Sequence, residues 1–238
     1  MRILAFDTAT RATTVALLDE QAGVELEARD DPEPGARPRH TSRLMPLIVE
    51  VLNRAGCGWD DLDRLAVGTG PGTFTGLRIG VATARALAGA RGLPLVGIST
   101  LESLALGALP AARAGGQDQI LAVLDARRRE VFTAAWSPDG GAMRTPTLVT
   151  AVMSPAALAE SSPELGRSRL AIGDGAVEFR QVLERPGTVI PADDSELHRV
   201  SAVQHCRLAA QQLSVGAEAV SPEYLRRPDA ELNLRAPS

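Results

Sequence analysis

The stretch ILAFDTATRATTVALL (3–18) returns in outline as ILAVLDARRREVFTAAW (120–136): an apolar strand, an aspartate, a polar turn and a second strand. This repetition constrains the fold more than any short motif, because each copy must supply half of one architecture. Around the first copy, apolar and alternating patterns predict strands over 2–8, 11–20 and 24–30, a helix over 41–55, a strand over 64–70, a helix over 74–90, a strand over 93–98 and a helix over 101–109. Thr41 or Ser42 is the expected cap of the 41–55 helix and Gly56 its stop. After a junction at 114–119, the second half predicts strands ending at Trp136 and over 145–150, then a helix over 154–161, a strand over 169–173, a helix over 176–183, a strand over 188–191 and a helix over 197–213. The order βββαβαβα therefore occurs twice, and such alternation builds mixed sheets covered by helices. The expected organisation is a first lobe over 1–113, a smaller second lobe over 117–197, a C-terminal helix over 198–216 packing back toward the first lobe, and a tail over 217–238.

With 238 residues and 45% hydrophobic content, the chain can bury a core without staples, and it contains no apolar run of the roughly 20 residues a membrane span needs. The start MRILAFDTAT lacks the charged region, apolar stretch and cleavage site of a secretory signal, so a cytoplasmic protein is expected. Cys57 and Cys206 are the only cysteines and have no C-x-x-C context, which supports neither a disulfide framework nor a zinc site. All 25 basic residues are arginine, so no mechanism can use a lysine. A net charge of −4 and 3% aromatic content do not suit a stand-alone RNA binder, and any nucleic acid would need a partner's help.

The densest glycine stretch, GTGPGTFTGLRIGVATARALA from Gly68, invites a phosphate-loop reading. A Walker loop needs Gly-Lys-Ser/Thr at its end, and here Gly76 is followed by Leu77 and Arg78. A dinucleotide fingerprint fails because Thr75 stands where the third glycine belongs. What remains is a tight strand-to-helix turn whose free amides can attract an anion. Serine hydrolase chemistry would need a G-x-S-x-G elbow with an oriented histidine, and the chain has none.

Several of these stretches occur together: ILAFDTATRATTVAL, RHTSRLMPLIVEVL, GTGPGTFTGLRIGVATARALA, LVGISTLESLA, LAVLDARRREVF, IGDGA and PEYLRR. The combination covers nearly the whole chain and closely resembles the TsaB (YeaZ) family. The resemblance implies an α/β fold of two tandem βββαβαβα lobes in the actin-like ATPase (ASKHA, ribonuclease H-like) superfamily. It also implies a subunit that pairs with TsaD, and indirectly with TsaE, in making threonylcarbamoyladenosine on tRNA. On this view the tRNA is reached only through the complex, the chain binds no membrane, and the isolated chain is either a monomer or a homodimer.

The same resemblance directs attention to three sites. An actin-like nucleotide site would use Asp7, with Thr8 beside it, to hold magnesium through water, a second hairpin at Asp125, and the turn Gly173-Asp174-Gly175 near adenosine. The second hairpin, Asp125-Ala126-Arg127-Arg128-Arg129-Glu130, has no glycine to admit phosphates, and its arginines are read as charges exposed to water. This leaves room for weak or vestigial nucleotide binding and no assigned cofactor. TsaD-type proteins carry a His-x-x-x-His metal pair where this chain has Thr100 and Leu104, so no metal site and no catalytic residue is expected. His40, His198 and His205 offer no replacement chelating spacing, although His198 and His205 can share a helix face; His40 is expected to cap a helix or face a partner. The rival classes are a free-standing actin-like ATPase or kinase using Asp7 and Asp125, and a degenerate M22-type glycoprotease-like metallopeptidase.

For docking, the 74–90 helix is apolar or small almost all round, with Gly76, Gly80 and Ala84 recurring every four residues. Two readings fit: the helix sits between its own sheet and the 41–55 helix, or the two helices pair with a partner in a four-helix contact, as TsaB-like proteins do. The second reading places His40, Leu44, Met45, Ile48, Leu52, Phe74, Gly76, Leu77, Gly80, Val81 and Ala84 at the interface. It expects Gly80→Leu to abolish pairing while leaving the monomer folded.

Overall fold

A computed structural model describes residues 1–33, 35–138, 146–161 and 168–225. The first half forms β1 (Arg2–Asp7), β2 (Thr13–Asp19), β3 (Val24–Asp30), α1 (His40–Ala55), β4 (Arg64–Gly70), α2 (Phe74–Arg91), β5 (Leu95–Ser99) and α3 (Thr100–Ala114). The second forms β6 (Gln119–Arg127), β7 (Glu130–Trp136), β8 (Leu148–Met153), α4 (Pro155–Glu160), β9 (Arg169–Ile172), α5 (Asp174–Glu178), α6 (Arg180–Leu183), β10 (Thr188–Val189) and α7 (Ala202–Gln211). The five-stranded sheets run β3-β2-β1-β4-β5 and β8-β7-β6-β9-β10, so the repeat read from the sequence is a repeat of topology. In each, the first strand pairs antiparallel with the second and parallel with the fourth. This is the doubled layout that the resemblance implies.

Local chemistry accounts for most helix ends. Ser99 Oγ accepts the Glu102 N–H and Ser154 Oγ the Ala157 N–H, while Gly56 and Gly92 close α1 and α2 in the left-handed region at φ 64° and 63°. Neither Thr41 nor Ser42 caps α1: the helix starts one residue earlier, at His40, and Ser42 Oγ instead donates to the Arg39 carbonyl. Helix α3 continues through Pro110 to Ala114, past the predicted end at 109. The 176–183 helix breaks at Phe179 into α5 and α6, and the 197–213 helix becomes a 3-10 turn at Glu196–His198 followed by α7. The strand expected over 145–150 begins at Leu148, and Thr145 lies outside the described residues, as does the tail beyond Leu225.

The last helix of each half is exchanged. Helix α3, assigned by sequence to the first lobe, packs chiefly on the second sheet, with Leu101, Leu104, Ala105 and Ala108 against Ile120, Leu124, Phe132 and Leu170. Helix α7 covers the first sheet, with Ala202, Cys206 and Ala209 against Ile3, Ala5, Ala66 and Ile98. Its first turn has no side-chain cap of its own; the Glu27 carboxylate on β3 accepts the Ala202 N–H at 2.7 Å and the Ser201 hydroxyl at 3.1 Å.

The opposite face of the first sheet carries α1 and α2, whose Leu44, Leu47, Ile48, Val51, Leu52, Val81 and Ala84 share a core with Leu4, Phe6, Val15 and Leu65. This corrects the docking expectation for most of its residues. His40, Leu44, Ile48, Leu52, Gly76, Leu77, Gly80, Val81 and Ala84 are all buried beneath this chain's own atoms. A Cβ on Gly76 would lie 1.9 Å from the Thr8 carbonyl oxygen, and one on Gly80 would lie 2.4 Å from Thr8 Oγ1. The two glycines therefore admit the β1–β2 turn, and a partner's helix has no access to them. Met45, 40% exposed, and the half-buried Phe74 are the members of that set left at the surface, and Val49 joins them at 47%. Among the described residues no helix is long and apolar enough to cross a membrane.

Candidate functional site

Asp7 ends β1 where the two exchanged helices converge. Its side chain is 1% exposed and accepts three hydrogen bonds: from the Ala9 N–H at 2.6 Å, the Thr100 hydroxyl at 2.8 Å, and His205 Nε2 at 3.0 Å. Burial pushes the carboxyl upward, but the His205 hydrogen bond and charge, with the Ala9 and Thr100 bonds, outweigh it and hold the group below the usual carboxylate range. Behind the ring, His205 Nδ1 lies 2.8 Å from Ser103 Oγ and 3.1 Å from the Ser201 carbonyl, so the imidazole finds partners in both its neutral and its protonated form. Gly68 completes the enclosure, since a Cβ there would sit 1.8 Å from Asp7 Oδ2. A hydrated magnesium ion could reach this carboxylate only by displacing His205 and Thr100.

The other residues singled out for nucleotide binding have packing partners as well. The Thr8 hydroxyl donates to the Gly76 carbonyl at 2.7 Å and ties the first hairpin to α2. Gly173, at φ 107°, and Gly175 press against β6, where added Cβ atoms would meet the Val123 carbonyl oxygen at 2.1 Å and the Leu124 carbonyl carbon at 2.8 Å. Between these glycines, Asp174 accepts the Asp125 N–H at 3.0 Å, and burial pushes its carboxyl up to about 6. Asp125 turns its side chain toward its own hairpin, accepting the Arg127 N–H at 2.8 Å and pairing with Arg127 Nη1 at 3.0 Å. Arg127, Arg128 and Arg129 follow at φ 63°, 54° and 61°, a conformation that costs a non-glycine residue about 1 kcal/mol each.

A cleft of about 210 Å³ runs between the lobes, lined by Thr10, Arg11, Arg29, Asp31, Asp174 and Arg199 among others. It is smaller than the roughly 300–1,000 Å³ of a typical small-molecule pocket. Its arginines are engaged from within: Arg29 forks onto Asp31 at 2.7 and 2.9 Å, Arg11 donates to the Ala36 carbonyl at 2.7 Å, and Arg199 pairs with Glu196 at 2.8 Å. Leu104, at the second TsaD-type ligand position, is buried in the core under α3. Among the described residues no three His, Cys, Asp or Glu side chains stand together in a way that would hold a metal ion.

The histidines also take unexpected places. His40 is buried with Nδ1 2.9 Å from Thr13 Oγ1, so it neither caps a helix nor faces outward. His198 accepts the Gly173 N–H on Nδ1 from the 3-10 turn, and His205 projects from α7, so the two do not share a helix face. Sequence reasoning passed over the Asp7–His205–Ser103 chain because its members are 198 and 102 residues apart. The available signal was a histidine on an otherwise apolar helical stripe, where burial demands a polar partner.

A third surface lies at the start of α2. Phe74 and Tyr224 rings stand 5.0 Å apart, the Arg78 guanidinium lies 3.9 Å from the Phe74 ring centre, and Arg78 Nε donates to the Tyr224 hydroxyl at 3.1 Å. The Glu223 N–H donates to the Thr69 carbonyl at 2.8 Å and straps the C-terminal segment across β4. Sequence reading had no means of bringing Tyr224 to Phe74.

A family model described as "TsaD: tRNA N6-adenosine threonylcarbamoyltransferase" matches residues 32–172, more than half of the chain. The chain is 34% identical over 233 residues to the Escherichia coli K12 protein named "tRNA threonylcarbamoyladenosine biosynthesis protein TsaB", covering 95% of each. It is 28% identical over 235 residues to the Bacillus subtilis protein of the same name, covering 97% of this chain and 96% of that one. The solved structure of YeaZ from Pseudomonas aeruginosa superposes with a TM-score of 0.77 at 30% identity, over 94% of this chain and 99% of the other.

Proposed function

The chain belongs to the TsaB (YeaZ) family and takes part in tRNA threonylcarbamoyladenosine biosynthesis, and from that premise we propose that it is the non-catalytic scaffold subunit that docks onto TsaD. The observation that carries this reading is the enclosure of Asp7 by His205 and Thr100. An acid that would otherwise help to hold a metal and phosphates is committed to joining α3 and α7. The chain then contributes shape and surface, TsaD performs the transfer, and TsaE acts on the pair.

The docking face is narrower than the sequence suggests. It comprises the outer side of α1, with Met45 and Val49, and the Phe74–Arg78–Tyr224 cluster at the start of α2. Exposed methionine and aromatic residues backed by a rigid core suit a partner's apolar helix, and a flanking arginine adds directionality. Reconstitution tests the assignment. The purified chain should co-elute with TsaD, and tRNA modification should require both together with TsaE and the enzyme that supplies the activated threonylcarbamoyl group. Turnover of Mg-ATP by this chain alone, or modification that proceeds at full rate without it, would overturn the scaffold reading.

A further inference from the structure

Arg127, Arg128 and Arg129 are the only non-glycine residues with positive φ among the described residues, at 63°, 54° and 61°. Elsewhere the chain puts glycine where it needs that conformation, as at Gly23, Gly56 and Gly92. The β6–β7 turn has Arg128 and Arg129 at its centre, preceded by a bulge between Asp125 and Arg127. A hairpin turn with φ above zero at both central residues is best served by Asn-Gly. A cationic triplet held against its backbone preference is a local conflict of the kind found where side chains have a task.

The geometry also limits what that task can be. The Arg127 N–H donates to Asp125 and the Asp125 N–H to Asp174, so the tip is held to the second lobe's core; all three arginine residues are exposed, and the Arg127 guanidinium is paired with Asp125 at 3.0 Å. The turn contains no glycine whose amide could close on a single small anion. Rigid guanidinium forks spaced along a turn match instead a polyanion whose phosphates recur at short intervals. Because the chain as a whole carries −4, a concentrated cationic point is needed for a polyanion to approach it.

We infer that the Arg127–Arg129 tip contacts the phosphate backbone of tRNA when the chain is assembled with TsaD; the inference rests on the functional reading above. The test compares wild-type and Arg128→Asn/Arg129→Gly chains, each assembled with TsaD, by titrating tRNA at several salt concentrations. Asn-Gly is the preferred turn pair, so the variant should melt a few degrees higher while its complex binds tRNA about 5- to 20-fold more weakly. The slope of log affinity against log salt should fall by about one to two, with no change in TsaD affinity. Arg128→Lys/Arg129→Lys should keep most of the slope. Unchanged tRNA affinity and slope in an assembled complex would overturn the inference and leave the functional reading standing. A loss confined to TsaD affinity would also overturn it, by making the tip a protein contact. Failure of the wild-type chains to assemble would overturn the functional reading, and this inference with it.

Discussion

His205 Nε2 lies 3.0 Å from Asp7 Oδ2, joining the end of β1 to α7 across 198 residues of chain with both side chains almost completely buried. Thr100, the first residue of α3, donates to the same oxygen. One carboxylate thus ties both exchanged helices to the end of β1.

Removing the histidine leaves that carboxylate short of its strongest partner inside the core. His205→Ala is expected to cost about 3–5 kcal/mol, the usual penalty for breaking a buried pair, as measured by urea denaturation near neutral pH. Asp7→Asn/His205→Ala should cost less than the two single changes combined, because the neutral amide no longer needs a charged partner. Asp7's carboxyl is held low in the folded state, so its contribution is complete above the ordinary carboxylate range and is lost only as pH falls through its folded value.

Asp174 gives the opposite pH dependence. Its folded carboxyl titrates at about 6, above its unfolded value, so its stabilising contribution is complete in acid and disappears as pH rises through 6. Asp174→Asn keeps an acceptor for the Asp125 N–H and removes the charge. The variant should be more stable than wild type by about 1–2 kcal/mol at pH 8, allowing for the partial exposure of the side chain at the cleft, and nearly equal at about pH 3, below the ordinary carboxylate range. Thermal melts at the two pH values check the difference, and a gain that does not depend on pH would refute it.

Two glycines of α2 should respond in opposite directions. At Gly76 a Cβ would strike the Thr8 carbonyl at 1.9 Å, whereas at Gly89 nothing lies within 4 Å. Gly76→Ala should destabilise by about 2–3 kcal/mol or more through displacement of the first hairpin, and Gly89→Ala should stabilise by about 0.5–1 kcal/mol. Gly80→Leu should likewise damage the monomer, since the space it needs is held by Thr8 Oγ1.

The outer face of α1 offers a cleaner test of pairing. Met45→Asp and Val49→Asp alter side chains at 40% and 47% exposure, so the melting temperature should stay close to wild type, with changes within about 0.5 kcal/mol. Each should weaken TsaD binding at least tenfold, as read by calorimetry or by co-elution at low concentration. Normal binding by both variants would move the docking face elsewhere.

The sequence by itself determined the elements and their order. Apolar runs such as RILAFD and RLAVGTG have strand periodicity, Gly56 stops α1 where a left-handed residue is required, and the duplicated hairpin implied two sheets of one topology. Tertiary structure alone decided what these features face. Gly76, Gly80 and Ala84 read equally well as a seat for a partner's helix or as a seat for the chain's own hairpin, because small residues record that something approaches closely without recording what. Asp7 reads as a ligand for magnesium until His205 arrives from the far end of the chain to fill its acceptor sites. By chain order helix α3 belongs to the lobe that precedes it, but its Leu101 and Leu104 pack on the second sheet. Periodicity and capping are local properties of a chain, whereas burial and hydrogen-bond satisfaction depend on contacts with other elements, and a linear pattern does not encode which of several suitable partners is met.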